Sequence, residues 1–119
     1  MSISFSNYAF DIDCLEKAIA ILSSGLSCDF EEHHSLYKGN YSLYKSEGKR
    51  IEVLRNLDPM WDPNVDEENE KYLNEAYKDC NILIDVSGET VWVENIQSQL
   101  IKIVSVSHIK TRVSNNEIT

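Results

Sequence analysis

The chain has 119 residues, 42% hydrophobic and 26% charged, and its 20 acids against 11 bases leave a net charge of −9. A single domain of this length can bury a core without disulfide or metal staples. Its field repels nucleic acid and anionic membrane and attracts basic proteins, which weighs against direct nucleic-acid binding and in favour of a basic protein partner.

The start, "MSISFSNYAF", lacks a positive region followed by a long apolar run, so it does not read as a signal peptide. No uninterrupted apolar stretch approaches the roughly 18 residues of a membrane span. Cys14, Cys28 and Cys80 are odd in number, widely spaced and without a C-x-x-C pair. Free thiols in a reduced, cytoplasmic chain are the expectation.

Early alternation, with Ile3 and Phe5 on one face, predicts a short strand in "ISFSNYAF". A helix is expected near 12–24. Asp13 caps its first turn with Glu16 as reciprocal partner, Ile12, Leu15, Ile19 and Leu22 recur at helical spacing, and Gly25 ends it. Residues 28–40 are polar and read as loop or irregular edge strand. Strands near 41–46 and 50–56 form a hairpin turning on "SEGK". Pro59 and Pro63 interrupt regular structure.

A second helix is expected near 66–79, capped by Asn64 or Asp66, with Glu67, Glu68 and Glu70 at the positive end of its dipole. Tyr72, Leu73, Ala76, Tyr77 and Cys80 form its stripe. Strands are expected near 81–86, 90–94 and 100–107, with "TVWV" pairing back as a hairpin arm and the tail "SNNEIT" fraying. The sum is a single α+β domain over residues 1–119: a mostly antiparallel sheet with two main helices packed on one side.

Chemical motifs are absent. The chain has no dinucleotide fingerprint, phosphate loop, H-E-x-x-H or nucleophile elbow. Asp62, Asn64 and Asp66 match the opening ligands of a calcium loop, but Glu67 stands where that loop needs glycine and Leu73 where it needs a bidentate glutamate. His33 and His34 are adjacent and point apart on a strand. With Cys28 they do not make a zinc spacing, and His108 is remote. Cys14 and Cys80 fall on apolar stripes, where packing is the simpler role. Tyr37, Tyr41 and Tyr44 lie near Lys38 and Lys45, a pattern that serves single-stranded nucleic acid elsewhere but fits hairpin packing better in so acidic a chain. No catalytic residue, metal or cofactor is assigned, and the chain is not read as an enzyme.

What remains is "DPMWDPNVDEENEKY", residues 58–72. Its candidate partner-binding residues are Asp58, Trp61, Asp62, Asp66, Glu67, Glu68 and Glu70. The bland reading is a solvated loop and helix start. The functional reading is a docking surface for a basic partner: the prolines lower the entropy cost of holding one shape, and a tryptophan is a frequent interface anchor.

In size, acidity, this acidic run and the stretch "NILIDVSGETVWV", the chain resembles bacterial immunity proteins, the antitoxins of contact-dependent growth inhibition and related polymorphic toxin systems. The resemblance implies a cytoplasmic protein that binds and blocks one toxin domain, commonly a nuclease. It transfers no residue roles, because no motif is matched position by position. Two rivals come from other classes: an adaptor module that binds a basic segment of another partner, and a small enzyme assembled from scattered residues such as His33, His34 and His108.

Overall fold

A computed structural model describes residues 2–115. Six strands form one antiparallel sheet. They are β1 (Ser2–Phe10), β2 (Glu31–Ser35), β3 (Gly39–Ser46), β4 (Lys49–Arg55), β5 (Ile82–Glu89) and β6 (Val106–Asn115), in the spatial order β2-β3-β4-β5-β1-β6. Two helices, α1 (Leu15–Leu26) and α2 (Thr90–Leu100), cover one face. The α+β class and the one-sided placement of the helices are as the sequence predicts.

Alternation along the strands divides the sheet. Tyr8 and Phe10 of β1, Ile51 and Val53 of β4, and Ile82, Ile84 and Val86 of β5 turn toward the helices. There they meet Leu15, Ala18, Leu22 and Leu26 of α1 and Val93, Ile96 and Leu100 of α2. Each large side chain so buried contributes about 1.5–3 kcal/mol relative to exposure. The opposite face carries a smaller apolar cluster of Ala9, Leu54 and Leu83, over which Tyr77, Cys80 and Ile109 pack. A bulge in β6 lies between the pairs Asn7↔Lys110 and Tyr8↔His108, so the consecutive residues Ile109 and Lys110 both serve this second face.

Several sequence expectations need correction. Residues 66–79 are not a helix; they hold two short 3-10 turns, Glu68–Lys71 and Glu75–Tyr77. The helix is at Thr90–Leu100, where a strand was expected at 90–94, and no hairpin arm pairs back on β5. The β-branched residues of "TVWV" favour a strand locally, but Val93, Ile96 and Leu100 recur at helical spacing and bury one side. The last strand begins at Val106 rather than 100, and it carries Ser114 and Asn115, which were assigned to a frayed tail. The rest of that tail lies outside the described residues.

Asp13 does not cap α1. Cys14 takes the N-cap position, and Asp13 pairs with Lys17 at 2.9 Å. Nor does Gly25 end α1; Ser27, with φ 53°, is the left-handed cap. A glycine is decisive at position 88, where φ is +152° and a methyl group would lie 2.6 Å from the Gly48 carbonyl oxygen. Only glycine lets β5 run this close to the β3–β4 turn.

Candidate functional site

β4 and β5 are hydrogen-bonded neighbours whose last register pair is Arg55↔Ile82. A hairpin between them would need about two to five connecting residues. The chain instead makes a long excursion from residue 56 to residue 81, containing every acidic residue assigned above to partner binding. Eight carboxylates (Asp58, Asp62, Asp66, Glu67, Glu68, Glu70, Glu75 and Asp79) stand against Lys71 and Lys78 in this segment.

The excursion is braced at its base by Asn56, which is 1% exposed. Its side-chain amide donates to the carbonyls of Asn74 (3.1 Å), Tyr77 (2.9 Å) and Cys80 (3.2 Å), while its oxygen accepts from Asn74 N at 2.8 Å. Gathering three carbonyls onto one side chain is incompatible with a continuous helix here, since a helix points its carbonyls along its own axis. That is why the stripe from Tyr72 to Cys80 holds one short turn, Glu75–Tyr77, in place of a helix. Sequence reasoning missed Asn56; its one signal is an amide side chain immediately after a strand of buried apolar residues.

An inner ring is closed by Asp58 N, which donates to Lys71 O at 2.8 Å. Within it the carboxylates serve the backbone. Asp58 Oδ1 accepts from Met60 N, Asp62 Oδ1 from Asn64 N and Asp66 Oδ2 from Asp62 N, each at 2.9 Å. Glu70 Oε2 accepts from Glu67 N at 3.0 Å. The D-x-N-x-D spacing is thus turn chemistry, in which aspartate side chains stand in for backbone acceptors. Among the described residues, no group of three His, Cys, Asp or Glu side chains converges as a metal site.

Glu68 pairs with Lys71 at 2.6 Å, which raises the lysine's pKa above its ordinary value. Glu67 and Glu68 are exposed. Trp61 is half-buried, and its indole N–H donates to Glu67 O at 2.8 Å inside the loop. Its ring lines a groove of about 470 Å³ beside Pro59, Tyr72 and Arg55. Trp61 therefore wedges the loop from within, offering a partner only part of its ring. Four large apolar residues of the excursion are exposed, Leu57 at 49%, Leu73 at 40%, Met60 at 52% and Val65 at 79%, and the last two stand out furthest. No helical or strand stripe claims either one, which is the trace they leave in the sequence.

The structure does not bring the histidines together. β2, with His33 and His34, and β6, with His108, are opposite edges of the sheet. His33 stacks on Tyr41 at 5.5 Å, His34 Nδ1 lies 2.9 Å from Asn40 Oδ1, and His108 packs on Tyr8 at 5.3 Å. The tyrosines divide as well: Tyr41 shares the second face with Leu54, while Tyr44 packs on Phe30 among the helix-side residues. All three cysteines are free, and burial pushes the Cys28 and Cys80 thiols up, away from the nucleophilic thiolate. Among the described residues, no helix is long and apolar enough to cross a membrane.

No family model matches this chain, and no curated protein matches it significantly.

Proposed function

We propose that this protein is a binding inhibitor of the immunity type, which docks a basic toxin domain through the excursion at residues 56–81 and acts in the cytoplasm. The observation that carries the reading is the clasp of Asn56 on a strongly acidic loop. A hairpin from β4 to β5 has no need of the excursion, and concentrating eight carboxylates there adds self-repulsion. Long ordered loops of this kind on a rigid sheet are where binding function concentrates.

The loop's composition fits a basic partner. Exposed carboxylates steer a cationic surface and speed its association roughly 10- to 1,000-fold. A basic nuclease groove that holds phosphates is one surface such carboxylates can occupy. Met60 and Val65 supply the apolar contact that a rim of charge lacks. Bracing by Asn56, Asp62, Asp66 and Trp61 lowers the ordering cost on docking.

The test is growth rescue. A toxic domain encoded beside this chain, expressed alone, should arrest growth, and co-expression of this protein should restore it. Rescue should fail when Glu67 and Glu68 are both reversed to lysine. An adaptor would bind a basic partner through the same loop without rescuing growth. If no adjacent product is toxic and the bound partner keeps its activity, the inhibitor reading is wrong.

A further inference from the structure

The excursion covers only the apolar end of the second sheet face, where Tyr77 and Cys80 pack over Ala9, Leu54 and Leu83. The other end is bare and polar. Register places Glu52, Asp85, Asn7 and Lys110 in one row across β4, β5, β1 and β6. Arg50, Ser87, Phe5 and Arg112 make the next row. Together these residues line a cleft of about 340 Å³.

Its charges are sorted. On the floor, Glu52 is already satisfied: Lys38 Nζ donates to both its oxygens at 2.8 Å, and Arg50 Nη2 to Oε1 at 2.5 Å. Among the described residues Asp85 has the Asn7 amide, at 2.6 Å, and no cation within ion-pair distance, although the Lys38 charge reaches it. Burial pushes the Asp85 carboxyl above its usual range, and the nearby Glu52 charge adds to this. On the rim, among the described residues, Lys110 has no ion-pair partner, and Arg112 lies over the Phe5 ring at 5.0 Å without a carboxylate. Two cations with no carboxylate partner among the described residues, on the rim of a cleft whose floor holds one under-compensated carboxylate, form a bipolar site.

We propose that this cleft binds a small zwitterionic ligand, with an ammonium-type head against Asp85 and a carboxylate or phosphate held by Lys110 and Arg112. The charge order fits that polarity: Asp85 lacks a cationic donor, and Lys110 and Arg112 lack an anionic acceptor among the described residues. Two strand spacings separate Asp85 from Lys110, roughly 10 Å at the backbone, and the lysine side chain reaches back across that gap. Phe5, 37% exposed, gives the ligand's carbon chain an apolar wall. The proposal does not depend on the loop's partner, because it concerns residues outside the excursion.

The experiment is an NMR titration of the ¹⁵N-labelled protein with O-phospho-L-serine and with L-glutamate, which separate a phosphate from a carboxylate pole. Inorganic phosphate and methylammonium supply each pole alone. Saturable shifts are expected at Asn7, Asp85, Ser87 and Lys110 with at least one zwitterion, and much weaker ones with either single pole. Arg112→Gln and Lys110→Gln alter exposed side chains and should each weaken binding roughly 10- to 100-fold, the range for a charged hydrogen bond. Asp85→Asn, nearly isosteric, should do the same while the protein stays folded.

The proposal is overturned if neither zwitterion shifts these amides, if inorganic phosphate binds as tightly as phosphoserine, or if Asp85→Asn leaves the affinity unchanged. Binding of an oligoglutamate peptide with none of either zwitterion would also overturn it, and would make the cleft a dock for an acidic protein segment.

Discussion

Asn56 holds Asn74 by both ends of its amide: Nδ2 donates to the Asn74 carbonyl at 3.1 Å and Oδ1 accepts the Asn74 N–H at 2.8 Å. The same side chain is fully enclosed, so water cannot replace these bonds if they are lost. Asn56→Ala should cost about 2–4 kcal/mol in urea unfolding: the Cys80 carbonyl and the Asn74 N–H lose their partner, while the Asn74 and Tyr77 carbonyls keep the backbone donors Tyr77 N and Cys80 N. Asn56→Asp should cost at least as much, because a carboxylate keeps the acceptor but turns negative oxygens onto three carbonyls. Limited proteolysis should then cut within residues 57–81 before the sheet unfolds. Unchanged stability in Asn56→Ala would mean that the loop is held from elsewhere.

The position of that residue explains what the sequence disclosed and what it hid. The short apolar run at 81–86 and the stripe of α1 are local signals, and both elements form within three residues of the expected bounds, at Ile82–Glu89 and Leu15–Leu26. The excursion depends on one long-range clasp, and no local pattern contains it. The acidic run was legible as a candidate site because charge is additive along a chain. The roles inside it were not, because whether an aspartate faces solvent or caps a turn is decided by backbone geometry. In 90–100 two local signals conflicted, β-branched propensity against helical spacing, and burial of Val93, Ile96 and Leu100 decided for the helix. The polar cleft could not be seen at all, since Asn7, Glu52, Asp85 and Lys110 become neighbours only through the strand order β4-β5-β1-β6.

The two cleft carboxylates should respond to pH in opposite senses. Burial is the largest influence on Glu52 and pushes it up, but hydrogen bonds and charge from Lys38 and Arg50 outweigh this and hold it below its ordinary value. Its stabilisation is therefore present above its unfolded pKa, about 4.5, and is lost as pH falls through the lower folded value. Asp85 is raised by burial, so the native state holds its proton longer than the unfolded chain does. Its contribution declines as pH rises from the unfolded pKa, about 3.8, through the raised folded value. Denaturant unfolding of Asp85→Asn between about pH 3 and about pH 7 should lack that decline, so the variant gains on the parent as pH rises. Glu52→Gln should lose roughly 1–3 kcal/mol at neutral pH and far less in acid. A parent and an Asp85→Asn variant with parallel profiles would show that Asp85 is not perturbed.

Gly88→Ala tests the close approach of β5 to the β3–β4 turn. The residue's φ of +152° is one that side chains rarely adopt, and the added methyl would meet the Gly48 carbonyl at 2.6 Å and the Trp92 ring at 3.1 Å. Strain of this kind costs on the order of 1–3 kcal/mol, and the clash adds to it. A melting temperature within error of the parent would mean that the turn at Gly48 yields freely.

The docking role of the acidic loop has to be separated from its architecture. Asp62 and Asp66 hold turns, so reversing their charge would break the loop and weaken binding whatever surface the partner uses. Asp62→Asn and Asp66→Asn keep a side-chain oxygen in place and remove only charge. Glu67→Lys and Glu68→Lys change exposed side chains, at the cost of the Glu67 half of its reciprocal cap with Glu70 and of the surface pair between Glu68 and Lys71. If the loop meets a basic partner, the Glu67 and Glu68 reversals should slow association about 10-fold or more and flatten its salt dependence, with the melt lowered by no more than the loss of the Glu67 cap, about 0.5–2 kcal/mol. Val65→Ser removes an exposed apolar contact without touching charge, so it should act on dissociation. Trp61→Phe keeps a ring but loses the bond to Glu67 O, and should loosen the loop by about 1 kcal/mol before it affects affinity. Should a cognate partner bind the doubly reversed variant with unaltered affinity and rate, the loop is a solvated face and the interface lies elsewhere, with the exposed Tyr37 and its β2–β3 turn the next surface to probe.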